Sequence, residues 1–100
     1  MFKAIILLKR RDDLPEAQFR DWWLSGHAPL VRQLPGLRKA VFNLLHEAPY
    51  DGVSELWFDS QADFEAAYAT EAGKAVAADT LAHVSARIRM LAEEHVIVGA

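Results

Sequence analysis

The chain contains no cysteine in its 100 residues. That single absence excludes disulfide bridges, thiolate nucleophiles and cysteine-held zinc. Positive charge is also in short supply: 11 Lys and Arg stand against 14 Asp and Glu, a formal net charge of −3. A nucleic-acid surface is normally basic, so no nucleic-acid partner is expected. The one basic run, Lys9-Arg10-Arg11, is followed at once by Asp12 and Asp13 and reads as a solvated turn.

Long apolar runs are missing too. The stretch from Phe2 to Leu8 is too short to span a membrane. With no basic segment before it and no small-residue cleavage site after it, it does not read as a signal peptide. A soluble cytoplasmic protein with no membrane contact is the expectation. There is no glycine-rich phosphate loop, nucleophile elbow or paired-carboxylate motif. His46, His83 and His95 are scattered without ligand spacing, so no metal is expected, and nothing implies a tightly bound organic cofactor.

What the chain does have is apolar residues, 52% of the total. This is slightly above the usual range, and the surplus must enter either the core or an interface. No repeat, linker or low-complexity tract divides it, so residues 1–100 are read as one domain.

Phe2 to Lys9 reads as a buried strand, apolar on both faces through its middle. Asp13-Leu14-Pro15-Glu16 carries the marks of a helix start, with Asp13 as the cap. Phe19, Trp23, His27, Leu30 or Val31, and Leu34 then recur at helical spacing. Gly26 and Pro29 predict a kink or a break into two pieces near His27. Leu34-Pro35-Gly36-Leu37 is a turn, Arg38 to His46 a strand, Glu47 to Gly52 a loop, and Val53 to Phe58 the antiparallel partner strand. Ser60 caps a second helix carrying Phe64, Ala67 and Tyr68 inward. A break is expected at Gly73, then an alanine-rich piece to about Ala78 and an irregular or short helical segment from Asp79 to Arg89. His95 to Val98 is expected as the last strand, starting as early as Met90. The order βαββαβ is that of an α+β, ferredoxin-like fold with a four-stranded antiparallel sheet.

Two helices can cover only one side of such a sheet. Ala4, Ile6 and Leu8 point one way while Ile5 and Leu7 point the other; Ala40, Phe42 and Leu44 oppose Val41 and Leu45; Leu56 and Phe58 oppose Val53 and Trp57. The uncovered face would be a large apolar patch, which monomers seldom tolerate. A two-fold, face-to-face homodimer is therefore expected. The alternative is a monomer whose C-terminal segment folds over that face.

His27 is the candidate for chemistry. It lies on the apolar side of the first helix, where Gly26 and Pro29 distort the backbone, and its imidazole can donate or accept a proton near neutrality. The competing reading is a structural histidine bonded to a nearby carbonyl. Glu55, in a central strand, has two readings: facing the helices it could orient His27, and facing the interface it would meet Lys3, Arg38 or Lys39. A one-residue change of register exchanges them. Trp23, Trp57 and Tyr68 belong to an aromatic set able to line a pocket for a small hydrophobic or aromatic ligand.

Several segments together resemble the EthD family of the dimeric α+β barrel superfamily. They are Phe19-Arg20-Asp21-Trp22-Trp23, His27-Ala28-Pro29-Leu30, Leu34-Pro35-Gly36-Leu37, Tyr50-Asp51-Gly52, Glu55-Leu56-Trp57-Phe58-Asp59 and Glu94-His95-Val96. The resemblance implies a ferredoxin-like protomer, a homodimer whose sheets close into a barrel, and a pocket between sheet and helices. It matches His27 to the family's helical histidine and Glu55 to the glutamate of its strand motif. The family is named for ethyl tert-butyl ether degradation; related families include cofactor-independent monooxygenases, muconolactone isomerases and polyketide cyclases.

The expected function is a cofactor-independent enzyme or accessory protein in organic-compound catabolism, with His27 as acid or base. Isomerase- or cyclase-type proton transfer fits best, with cofactor-free oxygenation as the other chemistry. A carrier protein for a small hydrophobic ligand would need the pocket without the ionisable group. A purely structural dimerisation domain would need no cavity at all.

Overall fold

Strand β1 (Phe2–Arg10) is the axis on which the computed structural model, describing residues 1–47 and 49–99, is built. It pairs antiparallel with β3 (Gly52–Phe58) on one side and β4 (Val84–Glu93) on the other, while β2 (Lys39–Leu44) flanks β3. The sheet order β2-β3-β1-β4 is that of the ferredoxin-like fold, and the α+β architecture is as expected. No helix among the described residues is long and apolar enough to cross a membrane.

All helices lie on one face. The first helical segment begins as α1 (Glu16–Asp21), widens into a π-helix (Trp22–His27) and ends as α2 (Ala28–Val31). The widening replaces the expected break. The Ala28 N–H bonds to the Trp23 carbonyl five residues back, and the chain continues into the Pro29 turn without interruption. The expected cap also differs: Asp13 is held by Arg11, and Pro15 stands at the N-cap with no side-chain bond. The second segment comprises α3 (Gln61–Tyr68), capped by Ser60 as expected, and α4 (Glu71–His83).

Gly73 does not break the helix. Thr70 does so by capping α4, its hydroxyl accepting the Gly73 N–H. Gly73 has a different task. A Cβ there would lie 2.4 Å from the Ala67 carbonyl oxygen and from the Tyr68 Cα, so its bare backbone lets α4 close against the end of α3.

The C-terminal reading is corrected in two places. Residues 79–89 are not irregular: α4 runs to His83, and β4 follows directly. The segment His95 to Val98 is not the last strand; it lies beyond the sheet, with Ile97 88% and Val98 92% exposed. Pairing geometry explains this. A strand starting at Val84 reaches the whole of β1, from Arg10↔Val84 to Phe2↔Glu93, which four residues at 95–98 could not do.

The core lies between sheet and helices. Ala4, Ile6 and Leu8 of β1 meet Leu56 and Phe58 of β3, with Phe19, Trp23 and Val31 above one half and Phe64, Ala67 and Val76 above the other. Register assigns the opposite face to Ile5, Leu7, Val53, Trp57, Ile88 and Met90. Ile88 and Met90 are 40% and 42% exposed there, and no helix covers them. Among the described residues beyond β4, Val96, Ile97 and Val98 are themselves largely exposed.

Candidate functional site

The π-helix brings Trp22, Trp23 and His27 to the inner side together. Trp23 is fully buried and stacks on Phe42 of β2 with ring centroids 4.5 Å apart and planes 9° from parallel. Its six-membered ring occupies the space left by Gly52, where a Cβ would stand 2.6 Å from it. His27 is 4% exposed and faces a cavity of about 220 Å³. Ile6, Leu8, Phe42 and Leu56 form its sheet wall, and Val76, Ala77 and Thr80 its α4 wall.

His27 is bonded on both sides of its ring. Nδ1 lies 2.8 Å from Oδ2 of Asp79, and Nε2 lies 3.3 Å from the Thr80 hydroxyl. A carboxylate only accepts, so the ring proton of neutral His27 sits on Nδ1 and Nε2 is left as an acceptor. Thr80 also donates to the Val76 carbonyl at 3.0 Å, so its one proton is divided between that oxygen and Nε2. Burial lowers the imidazole pKa below its ordinary value of 6.5, and the Asp79 carboxylate opposes that shift. The neutral, proton-accepting ring prevails at pH 7.

Asp79 is held in place by a second donor. The Trp22 indole Nε1–H donates to the same Oδ2 at 3.0 Å. His83 stacks on Trp22 at 4.1 Å and is bonded through Nδ1 to the Asp79 carbonyl at 2.7 Å. Asp79 was not identified from the sequence, because its segment read as irregular. The signal that could have found it is the helical spacing of Val76, Thr80 and His83 around it.

Trp23 and Tyr68, both expected at a pocket, line the cavity. Burial pushes the Tyr68 hydroxyl up to about 12, so it stays a neutral phenol. Trp57 does not line it. That residue lies on the opposite face of the sheet, between the ammonium groups of Lys3 and Lys39 at 5.0 and 4.8 Å from its ring.

Glu55 is likewise on the opposite face and does not orient His27. It accepts from Lys3 at 3.0 Å and from Asn43 at 3.3 Å, and Lys3 also reaches Glu94 at 3.2 Å. Strand parity is the reason: Ser54, Leu56 and Phe58 are buried beneath the helices, so Glu55 and Trp57 must turn away. His46 and His95 stand apart from the cavity, and no group of three or more His, Cys, Asp or Glu among the described residues could hold a metal ion.

The EthD domain model matches residues 11–85. Among curated proteins, none matches the chain. Among solved structures, an EthD family protein from Bacillus halodurans is 27% identical with a TM-score of 0.84, over 95% of this chain and 99% of that one. A dimeric protein of ferredoxin-like fold from Bacteroides fragilis is 18% identical with a TM-score of 0.75, over 93% and 95% of the two chains. SnoaB, a cofactor-independent oxygenase from Streptomyces nogalater, is 13% identical with a TM-score of 0.77, over 99% and 97%. At these last two identities the likeness is one of fold.

Proposed function

Because the chain belongs to the EthD family, we propose that it is a small-molecule enzyme working without metal or organic cofactor, with His27 as its proton acceptor. The observation that carries this reading is the Asp79–His27 pair, which leaves Nε2 unprotonated at a buried, cavity-facing position. In the reaction best suited to it, a substrate C–H next to a carbonyl is broken. The proton goes to Nε2, the electron pair goes into an enolate, and the imidazolium is stabilised by Asp79. Where the enolate is conjugated with a C=C bond, return of the proton to the far carbon completes an isomerisation; in a cyclisation the enolate carbon attacks a second carbonyl of the same molecule, and the alkoxide that forms takes the proton back from the imidazolium. Asp79 takes the orienting role expected of Glu55.

We further propose that the working unit is a homodimer joined through the uncovered sheet face. The apolar character of that face supports it, as does the dimeric fold relative from Bacteroides fragilis. Lys3, Glu55 and Glu94 would then be interfacial, each charge already paired within its own protomer.

Deuterium exchange into a panel of small ketones, β-diketones and aryl pyruvates in D2O, followed by proton NMR, tests the catalytic reading. Exchange above the buffer rate is expected with the wild-type protein, falling roughly 10²- to 10⁴-fold in His27→Gln. Equal exchange by a folded His27→Gln variant would overturn the role of His27. Binding of a panel member without exchange would favour a carrier.

A further inference from the structure

The polar groups around the cavity are unbalanced. His27 Nε2 is an acceptor, the Ser54, Tyr68 and Thr80 hydroxyls can each donate or accept, and among the described residues no carboxylate lines the cavity. The Trp23 indole N–H is buried with no hydrogen-bond partner among the described residues. Native proteins rarely strand such a group without a reason. Ser54, 5% exposed, and the neutral Tyr68 hydroxyl also line the cavity. Two exposed cations of the edge strand stand at its rim: Arg87 and Arg89, on the face of β4 that pairs opposite Leu8 and Ile6.

Like Arg20 and Arg32 they stand outside the ion pairs of the described residues, but they alone of the arginines line the cavity that His27 faces. Arg10, Arg11 and Arg38 each sit against an aspartate, at Asp51, Asp13 and Asp59. Among the described residues, neither Arg87 nor Arg89 has a carboxylate partner, and Arg89 rests over the Phe64 ring at 5.3 Å. Two like charges at alternate positions on one strand repel each other. Inward charges do guard a sheet edge, but that purpose needs neither one sign nor a cavity.

We propose that the cavity takes a small anion, a single-ring or comparably compact molecule whose carboxylate is held by Arg87 and Arg89 while another of its acceptors meets the Tyr68 hydroxyl. Guanidinium binds carboxylate in a planar, two-point contact suited to this task. The volume sets the size: a cavity of roughly 150 Å³ admits benzene, and this one is about 220 Å³. The inference names the substrate class of the site proposed above, and in that reading the arginines would also stabilise the enolate that forms.

The test is binding, which is separate from turnover. Benzoate and its neutral isostere benzamide are titrated into the protein at pH 7 and physiological salt, with intrinsic tryptophan fluorescence and ¹H–¹⁵N spectra as readouts. Benzoate is expected to bind at least about tenfold more tightly, shifting the Trp23 indole N–H and the guanidinium signals. The preference should fall toward unity in Arg87→Gln/Arg89→Gln and persist in His27→Gln. Equal affinity for the two probes, binding of neither, or a preference unchanged in the double variant overturns the anion assignment. In the wild type the guanidinium shifts alone decide the contact if the double variant does not fold. Loss of deuterium exchange in His27→Gln with the benzoate preference intact would separate the base from the anion site. Exchange only into neutral ketones, without a benzoate preference, would leave the base and remove the anion.

Discussion

Nδ1 of His27 and Oδ2 of Asp79 stand 2.8 Å apart although 52 positions separate the two residues in the chain. The contact joins the π-helix to α4. It determines which nitrogen of His27 is free. Removing the carboxylate charge while keeping the side-chain shape tests that relationship. In Asp79→Asn the opposition to burial weakens, so the His27 pKa should fall further below 6.5. Because an amide can donate as well as accept, the ring also loses its fixed tautomer. Exchange activity should drop roughly tenfold or more, with a stability loss of about 1 kcal/mol for a partly exposed carboxylate. NMR titration of the His27 ring in wild type and variant measures the shift; an unchanged or raised pKa would contradict the arrangement.

The same burial gives a signed pH dependence of stability. His27 is neutral in the folded protein and protonates more readily once unfolded, so the unfolded state binds more protons over the intervening range. Stability from this group is complete above pH 6.5. It is lost as pH falls through the lowered folded value. Urea unfolding at a series of pH values should show a decline on the acid side of 6.5 that is shallower in His27→Gln. An identical slope in the two proteins would show that His27 does not carry it.

Much of the fold could be read from the sequence because strand parity is a strong signal. The alternation in Ala4-Ile5-Ile6-Leu7-Leu8 assigns both faces of β1, and the structure places Ala4, Ile6 and Leu8 beneath the helices. The same parity puts Glu55 and Trp57 on one face and Leu56 and Phe58 on the other, but both sets hold large apolar residues, so the sequence leaves open which of them meets the helices. The C-terminal third was harder for a physical reason. Strand β4 is an edge carrying Ser85, Arg87 and Arg89, so its β pattern is diluted by charge, whereas Val96-Ile97-Val98 has strand-like residues and no strand to pair with. The π-helix has no sequence signature beyond Gly26 and Pro29, which signal distortion without its form.

Gly73 offers a test of the joint between α3 and α4. In an ordinary exposed helix, Gly→Ala stabilises by up to about 1 kcal/mol. Here the new Cβ would meet backbone atoms of Ala67 and Tyr68 at 2.4 Å, and backbone cannot rotate aside. Gly73→Ala should therefore destabilise by about 1–3 kcal/mol, lowering the midpoint of thermal unfolding by roughly 4–8 °C for each kcal/mol. A higher melting temperature would mean that the helices are not so closely apposed.

Ile88 distinguishes a paired sheet face from a bare one. In the isolated protomer it is 40% exposed and contributes little to the core, so a polar replacement there should be tolerated. If two such faces meet, Ile88 and Met90 lie opposite apolar side chains of a second copy, and a carboxylate among them would be desolvated without a partner. Sedimentation equilibrium at micromolar concentration should therefore give a species of twice 11.2 kDa for the wild type. The same measurement on Ile88→Asp should give a folded monomer. A wild-type protein that sediments at 11.2 kDa would sink the dimer outright. A dimer indifferent to the substitution would place its interface elsewhere, and Ile88 and Met90 would then stay as exposed as they are in the protomer.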